Sequence, residues 1–92
     1  MIMNTQFKIE NIFKLHAKNK VCIFARQLDL NSDWKLNDVS KLGKVQIENW
    51  LDTPRAFDKD GNLRLDLFAF LLKNKDDKDK LEVNQIVELT HE

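Results

Sequence analysis

Residues 63–72, LRLDLFAFLL, constrain this chain more than any other stretch. Leu63, Leu65, Leu67, Ala69 and Leu71 alternate with Arg64 and Asp66, the period-2 pattern of a half-buried strand. From Phe68 onward the opposite face turns apolar too, with Phe70 and Leu72. The pattern predicts a strand with one wet face at its start and two buried faces at its end. Asp60-Gly61 lies just ahead of it, and Asp-Gly flanked by apolar residues signals a hairpin, because Gly accepts positive φ at little steric cost.

The same region, from Asp58, also resembles the start of a calcium loop. Such a loop needs oxygen ligands at positions 1, 3 and 5, a Gly at position 6 and a bidentate Glu at position 12. Asp58, Asp60 and Asn62 fit the first three, but Leu63 and Ala69 fall at positions 6 and 12. Gly61 comes two places early. The stretch therefore reads as a turn, and no metal is expected.

Ninety-two residues, 42% hydrophobic and 33% charged, are expected to form a single soluble domain over 1–92. No run of about 18 apolar residues could span a bilayer, so no membrane association is expected. The opening MIMNTQFKIENIF lacks the layout of a secretory signal. One cysteine, Cys22, cannot form an internal disulfide, which makes a reducing, cytoplasmic location the expectation. Fifteen basic residues balance fifteen acidic ones, so the surface as a whole is no electrostatic trap for nucleic acid.

Elsewhere the chain divides into short units. Residues 7–28 admit two readings. Ile9, Ile12, Phe13, His16, Ala17, Val21, Phe24, Ala25 and Leu28 have helical spacing. As strands, Phe7-Lys-Ile9 alternates, Ile12-Phe13-Lys-Leu15 follows, 16–19 turns and 21–25 is a buried run; the wealth of Ile, Phe and Val suits that reading. Trp34 and Leu36 could begin a short strand, and 42–48 alternate after Gly43. Pro54 breaks the pattern. Residues 73–80, KNKDDKDK, read as a charged loop, and 81–89 as a last strand kinked near Asn84-Gln85. About six short strands with frequent turns predict an all-β fold, a small closed or partly open antiparallel barrel.

FKIENIFKLHAKNKVCIFARQL resembles the opening of the β-barrel second domain of translation GTPases such as elongation factor Tu. Phe7, Ile9, Glu10, Ile12, Phe13, Val21, Ile23 and Arg26 occupy the matching places, and 81–89 is similar to the family's closing stretch. The chain has Ala17-Lys18-Asn19 where the family usually has Gly-Arg-Gly, and Asn84-Gln85 where Gly-Asp is usual. Gly43 and Gly61 are the only glycines, and neither lies in a phosphate-cradling loop. The resemblance implies the barrel, and not a GTPase.

No catalytic constellation emerges. Nothing in the sequence brings Cys22, His16 and His91 together, and the apolar neighbours of Cys22 would raise its pKa. The chain is expected to be no enzyme and to use no cofactor. Trp34 and Trp50 sit beside turns; core packing is the first reading for each, and anchoring a partner the second. Asn49, Trp50, Asp52, Arg55 and Phe57 form a candidate patch around Pro54. The leading expectation is a binding module that contacts a protein partner through its loops, by way of Trp34, Trp50, Arg55 and Phe57. The alternative is an RNA- or ribosome-associated domain using Lys8, Lys14, Lys18, Lys20 and Arg26, with Phe7 or Phe13 facing outward to stack on bases.

Overall fold

Strand formation at the N-terminal end is decided by which residues the two faces can bury. The computed structural model describes residues 5–17, 19–29, 34–54, 57–64 and 66–91. Gln6–Leu15 forms strand β1 and Lys20–Gln27 forms β2, so the helical reading of 9–28 is corrected. The two pair as an antiparallel hairpin, with Ile9 opposite Ala25 and then Asn11 opposite Phe24. Glu10 is left over as the extra residue of a β-bulge, which reverses the faces of the strand. Ahead of the bulge Phe7 and Ile9 point into the core; beyond it Ile12 packs on that core while Phe13 and Leu15 pack outside against Cys22. The hairpin turns at Asn19, whose φ of 51° is one that Asn tolerates better than most residues.

Four more strands complete the fold: β3 at Ser40–Leu42, β4 at Val45–Asp52, β5 at Leu67–Leu72 and β6 at Ile86–His91. All neighbours are antiparallel, and the sheet closes into a barrel in the order β1-β2-β5-β4-β3-β6. The chain is all-β, as expected. Among the described residues no helix is long and apolar enough to cross a membrane.

Several boundaries differ from the sequence reading. Ser40–Leu42 is too short to alternate visibly, yet it pairs with both β4 and β6. Gly43 sits in the β3–β4 turn with φ +66°, and a Cβ there would lie 3.1 Å from Val87 Cγ1. Trp34 and Leu36 begin no strand; they pack against the core from irregular chain. The strand expected from residue 63 starts at Leu67, because the preceding residues form a small hairpin of their own; Leu65 lies outside the described residues. The charged run is a 3-10 helix over Lys75–Lys80, capped by Asn74, whose side chain accepts the Asp76 N–H at 3.0 Å. The last strand starts only at Ile86, since Asn84 takes φ 75° in a turn that follows buried Leu81.

The core holds Phe7, Ile9, Ile23, Ile47, Phe70 and Leu72, all fully buried. Each contributes roughly 1.5–3 kcal/mol of burial, and a one-residue slip of register would turn those side chains outward. Phe7 meets Phe70 edge-on with ring centroids 5.3 Å apart. A second cluster lies on the outer face, where Cys22, Ala69 and Leu71 are covered by Phe13, Leu15, Phe24 and Trp50. This is why β5 is buried on both faces, as its sequence predicts.

Candidate functional site

The most exposed apolar side chains next to a cluster of charge belong to the hairpin that precedes β5. Asp58 builds that hairpin: its Oδ1 accepts the N–H groups of Asp60 and Asn62, both at 2.9 Å. The Asp58 N–H donates to the Asn62 carbonyl at 2.9 Å, and the Gly61 N–H to the Asp58 carbonyl at 3.0 Å. Gly61 closes the turn at φ +85°. Phe57 and Leu63 then face each other across an isolated bridge, 65% and 49% exposed.

Arg64 ties the base of this hairpin to the barrel wall. Its Nη1 and Nη2 donate to the two Glu10 oxygens at 3.0 and 2.7 Å, a bidentate pair, and its Nε donates to Asp66 Oδ1 at 3.2 Å. Glu10 is the bulge residue of β1. The Arg64 hydrogen bonds hold its carboxyl below the ordinary range, against a smaller opposing effect of burial, and the charges of Arg26 and Lys8 add to the lowering. Glu10 and Asp66 in turn raise the Arg64 pKa further. Arg26 is held differently: its Nε is 3.8 Å from Glu10 Oε2, and that buried N–H has no acceptor. Together these groups line a cleft of about 660 Å³, with Phe57 and Leu63 on its rim beside Lys59.

The other sequence-predicted residues lie elsewhere. Trp34 stacks edge-on against Phe7 and Phe68 with centroids 5.2 and 4.9 Å away, and its Nε1 donates to Gln27 Oε1 at 3.0 Å. It borders a different cleft, of about 690 Å³, with Leu36 and His91. Trp50 is half-buried on the outer apolar cluster. Arg55 lies outside the described residues, so of the four candidate anchors Phe57 alone is placed at the charged cleft.

The basic residues divide into two groups. Lys8 pairs with Arg26 near one end of the β1–β2 ladder, while Lys14 and Lys20 sit at the other, opposite Val21 and Leu15. Lys8 and Lys14 are roughly 20 Å apart along the strand at about 3.3 Å per residue. Apolar Phe13, Cys22 and Phe24 occupy the outer face between the two groups. Lys20 is paired with Glu48 at 3.0 Å, and Lys18 lies outside the described residues. Phe7 is fully buried, and Phe13 packs edge-on to Phe24 at 4.9 Å.

Cys22, His16 and His91 are not brought together. Burial, with a smaller effect of Asp52, pushes the Cys22 thiol up to about 11. His91 Nδ1 lies 2.7 Å from the Oγ of fully buried Ser40, which also accepts the Asn37 N–H at 2.8 Å; the three tie the segment before β3 to β6. Among the described residues no three His, Cys, Asp or Glu side chains converge as metal ligands do. No family model, no curated protein and no solved structure matches the chain.

Sequence reasoning missed Glu10, Arg64 and Leu63 as one site. Glu10 and Arg64 are 54 residues apart, and Arg64 read as the wet face of a strand.

Proposed function

We propose that the chain is a non-enzymatic, cytoplasmic binding module, a translation-factor-like barrel that docks a protein partner through the hairpin of Phe57 and Leu63. One observation carries this reading: two large apolar side chains stand exposed on a loop braced by Asp58 and Arg64, beside a cleft of charged groups. Apolar groups rimmed by polar ones mark interaction surfaces, and loops fixed to a rigid scaffold are where binding concentrates. Aromatic residues with neighbouring Arg supply most of the energy in such contacts. The test is capture from host lysate by the parent and by a Phe57→Ser/Leu63→Ser double variant that keeps the parent's melting point. The reading requires that the variant lose the captured protein. Equal capture by both would refute it.

The alternative function, an RNA- or ribosome-associated domain, draws on Lys8 and Arg26, which adjoin on the outer face of the barrel. The separation of the lysines and the Lys20–Glu48 pair favour the protein reading; of the two candidate stacking residues Phe7 is fully buried, and Phe13, on the outer face, is packed against Phe24. A salt titration of binding to RNA separates the two, because phosphate contacts lose affinity steeply as salt rises.

A further inference from the structure

The charged groups at the hairpin cleft differ in what they leave open. Its acceptors are engaged: both Glu10 oxygens take Arg64, Asp66 Oδ1 takes the same guanidinium, and Asp58 Oδ1 takes two backbone N–H groups. Its cations are unequally held: Arg64 is fully engaged, while Arg26 and Lys59 donate no hydrogen bond to a cleft carboxylate among the described residues. Arg26 has a buried Nε–H without an acceptor, and Lys59 makes no ion pair among the described residues. Arg64 takes both Glu10 oxygens in hydrogen bonds, and Arg26 is left as a looser ion-pair partner whose Nε stands 3.8 Å from Oε2. Arg26, whose side chain is partly exposed, and Lys59 are therefore the cations an incoming anion would meet at this cleft.

The surroundings decide which anion. A nucleic-acid backbone carries a charge at every residue, and would set some of them against Glu10, Asp58 and Asp66. A single carboxylate beside a large apolar side chain avoids that. Its oxygens reach Arg26 while the apolar neighbour covers Phe57 and Leu63. The cleft's volume of about 660 Å³ falls within the roughly 300–1,000 Å³ usual for small-molecule-sized ligands, room enough for about two or three side chains of a peptide.

We infer that the docking hairpin recognises a protein segment in which Asp or Glu adjoins a large apolar residue, with Arg26 receiving the carboxylate. This rests on the protein-docking reading above and names the partner's chemistry. The test is an NMR titration of the ¹⁵N-labelled full chain with three capped nonapeptides. The first carries one Glu next to Leu and Phe in an otherwise Ser/Gly sequence; the second replaces the Glu with Gln; the third replaces the apolar residues with Ser.

The expected result is that the first peptide binds at least about tenfold more tightly than either of the others, the difference a hydrogen bond to a charged group supplies. It should shift the Arg26 Nε–H and the hairpin amides. Arg26→Gln should bring the first peptide down to the affinity of the second and leave the second unchanged. Equal affinity for the acidic and amide peptides overturns the inference while leaving hairpin docking intact. Failure of all three at about 5 mM also overturns it, and the lysate comparison then decides the docking reading independently. Displacement of the same resonances by a twelve-nucleotide uridine strand with steep salt dependence, or by raising the protein concentration alone, would assign the cleft instead to phosphate or to a second copy of this chain.

Discussion

Gly61 and Gly43 both adopt left-handed backbone, at φ +85° and +66°, but their surroundings differ, and the difference predicts two unequal costs. At Gly61 an added Cβ meets no atom within 4 Å. Gly61→Ala therefore pays backbone strain alone, roughly 1–2 kcal/mol. At Gly43 the same strain applies and the Cβ also comes within 3.1 Å of Val87 Cγ1, a core side chain only 5% exposed. Moving Val87 is an overpacking cost of about 1–3 kcal/mol, so Gly43→Ala should lose roughly 2–5 kcal/mol in all. For a domain of this size each 1 kcal/mol lowers Tm by about 4–8 °C. Gly61→Asn should be milder than Gly61→Ala, since Asn19 and Asn84 already adopt φ of 51° and 75° in this fold. Gly61→Val should be worse, because a β-branched side chain tolerates this conformation least. Urea and thermal melts of the four variants beside the parent provide the ranking. Unchanged midpoints for all the Gly61 variants would show that the hairpin is not formed as described, and Gly61→Ala costing more than Gly43→Ala would refute the packing argument.

Removing the Arg64 guanidinium should destabilise the fold by roughly 1–2 kcal/mol at neutral pH, because Glu10 and Asp66 lose their donor. Glu10's folded pKa lies below its unfolded value, so its contribution is present above the unfolded carboxyl pKa and is lost as pH falls through the folded one. The gap between parent and Arg64→Ala in denaturant melts should accordingly shrink below about pH 4, and a gap independent of pH would contradict the ion-pair account. Cys22, buried and with its thiol pKa near 11, should resist a thiol-reactive dye at pH 8 until the protein is unfolded; rapid labelling of the native protein would show the outer cluster to be open. Calorimetry with calcium should show no binding tighter than about 0.1 mM, because Leu63 and Ala69 stand where a calcium loop needs Gly and Glu. Tighter binding would reverse the reading of this stretch as a turn.

What the sequence made legible was local. The buried run of β2, the two-faced end of β5 and the turns at Asn19 and Gly61 each carry their signal within a few residues, whereas the alternating run read over 42–48 is broken by the turn at Gly43. The β1 bulge was half-visible. Phe7-x-Ile9 and Ile12-Phe13 show two apolar sets out of phase, but nothing local says that Glu10 is the extra residue between them. The early start given to β5 has a similar cause: alternation records which side chains are apolar, and Leu63 is apolar for the hairpin and not for the core. The core role of Trp34 depends on three Phe residues from two strands, a meeting only the closed barrel creates. The charged cleft was the least legible, since Glu10, Arg26 and Arg64 are joined by topology alone.

The most direct test of docking through the hairpin is site-specific photocrosslinking with benzoylphenylalanine placed at Phe57, compared with the same probe at Val83. Both positions are exposed, at 65% and 50%, so exposure alone would label them similarly. The account predicts one dominant protein adduct from position 57 in host lysate, suppressed by unlabelled parent protein and absent from position 83. No adduct at 57, or the same adducts from both positions, would contradict it.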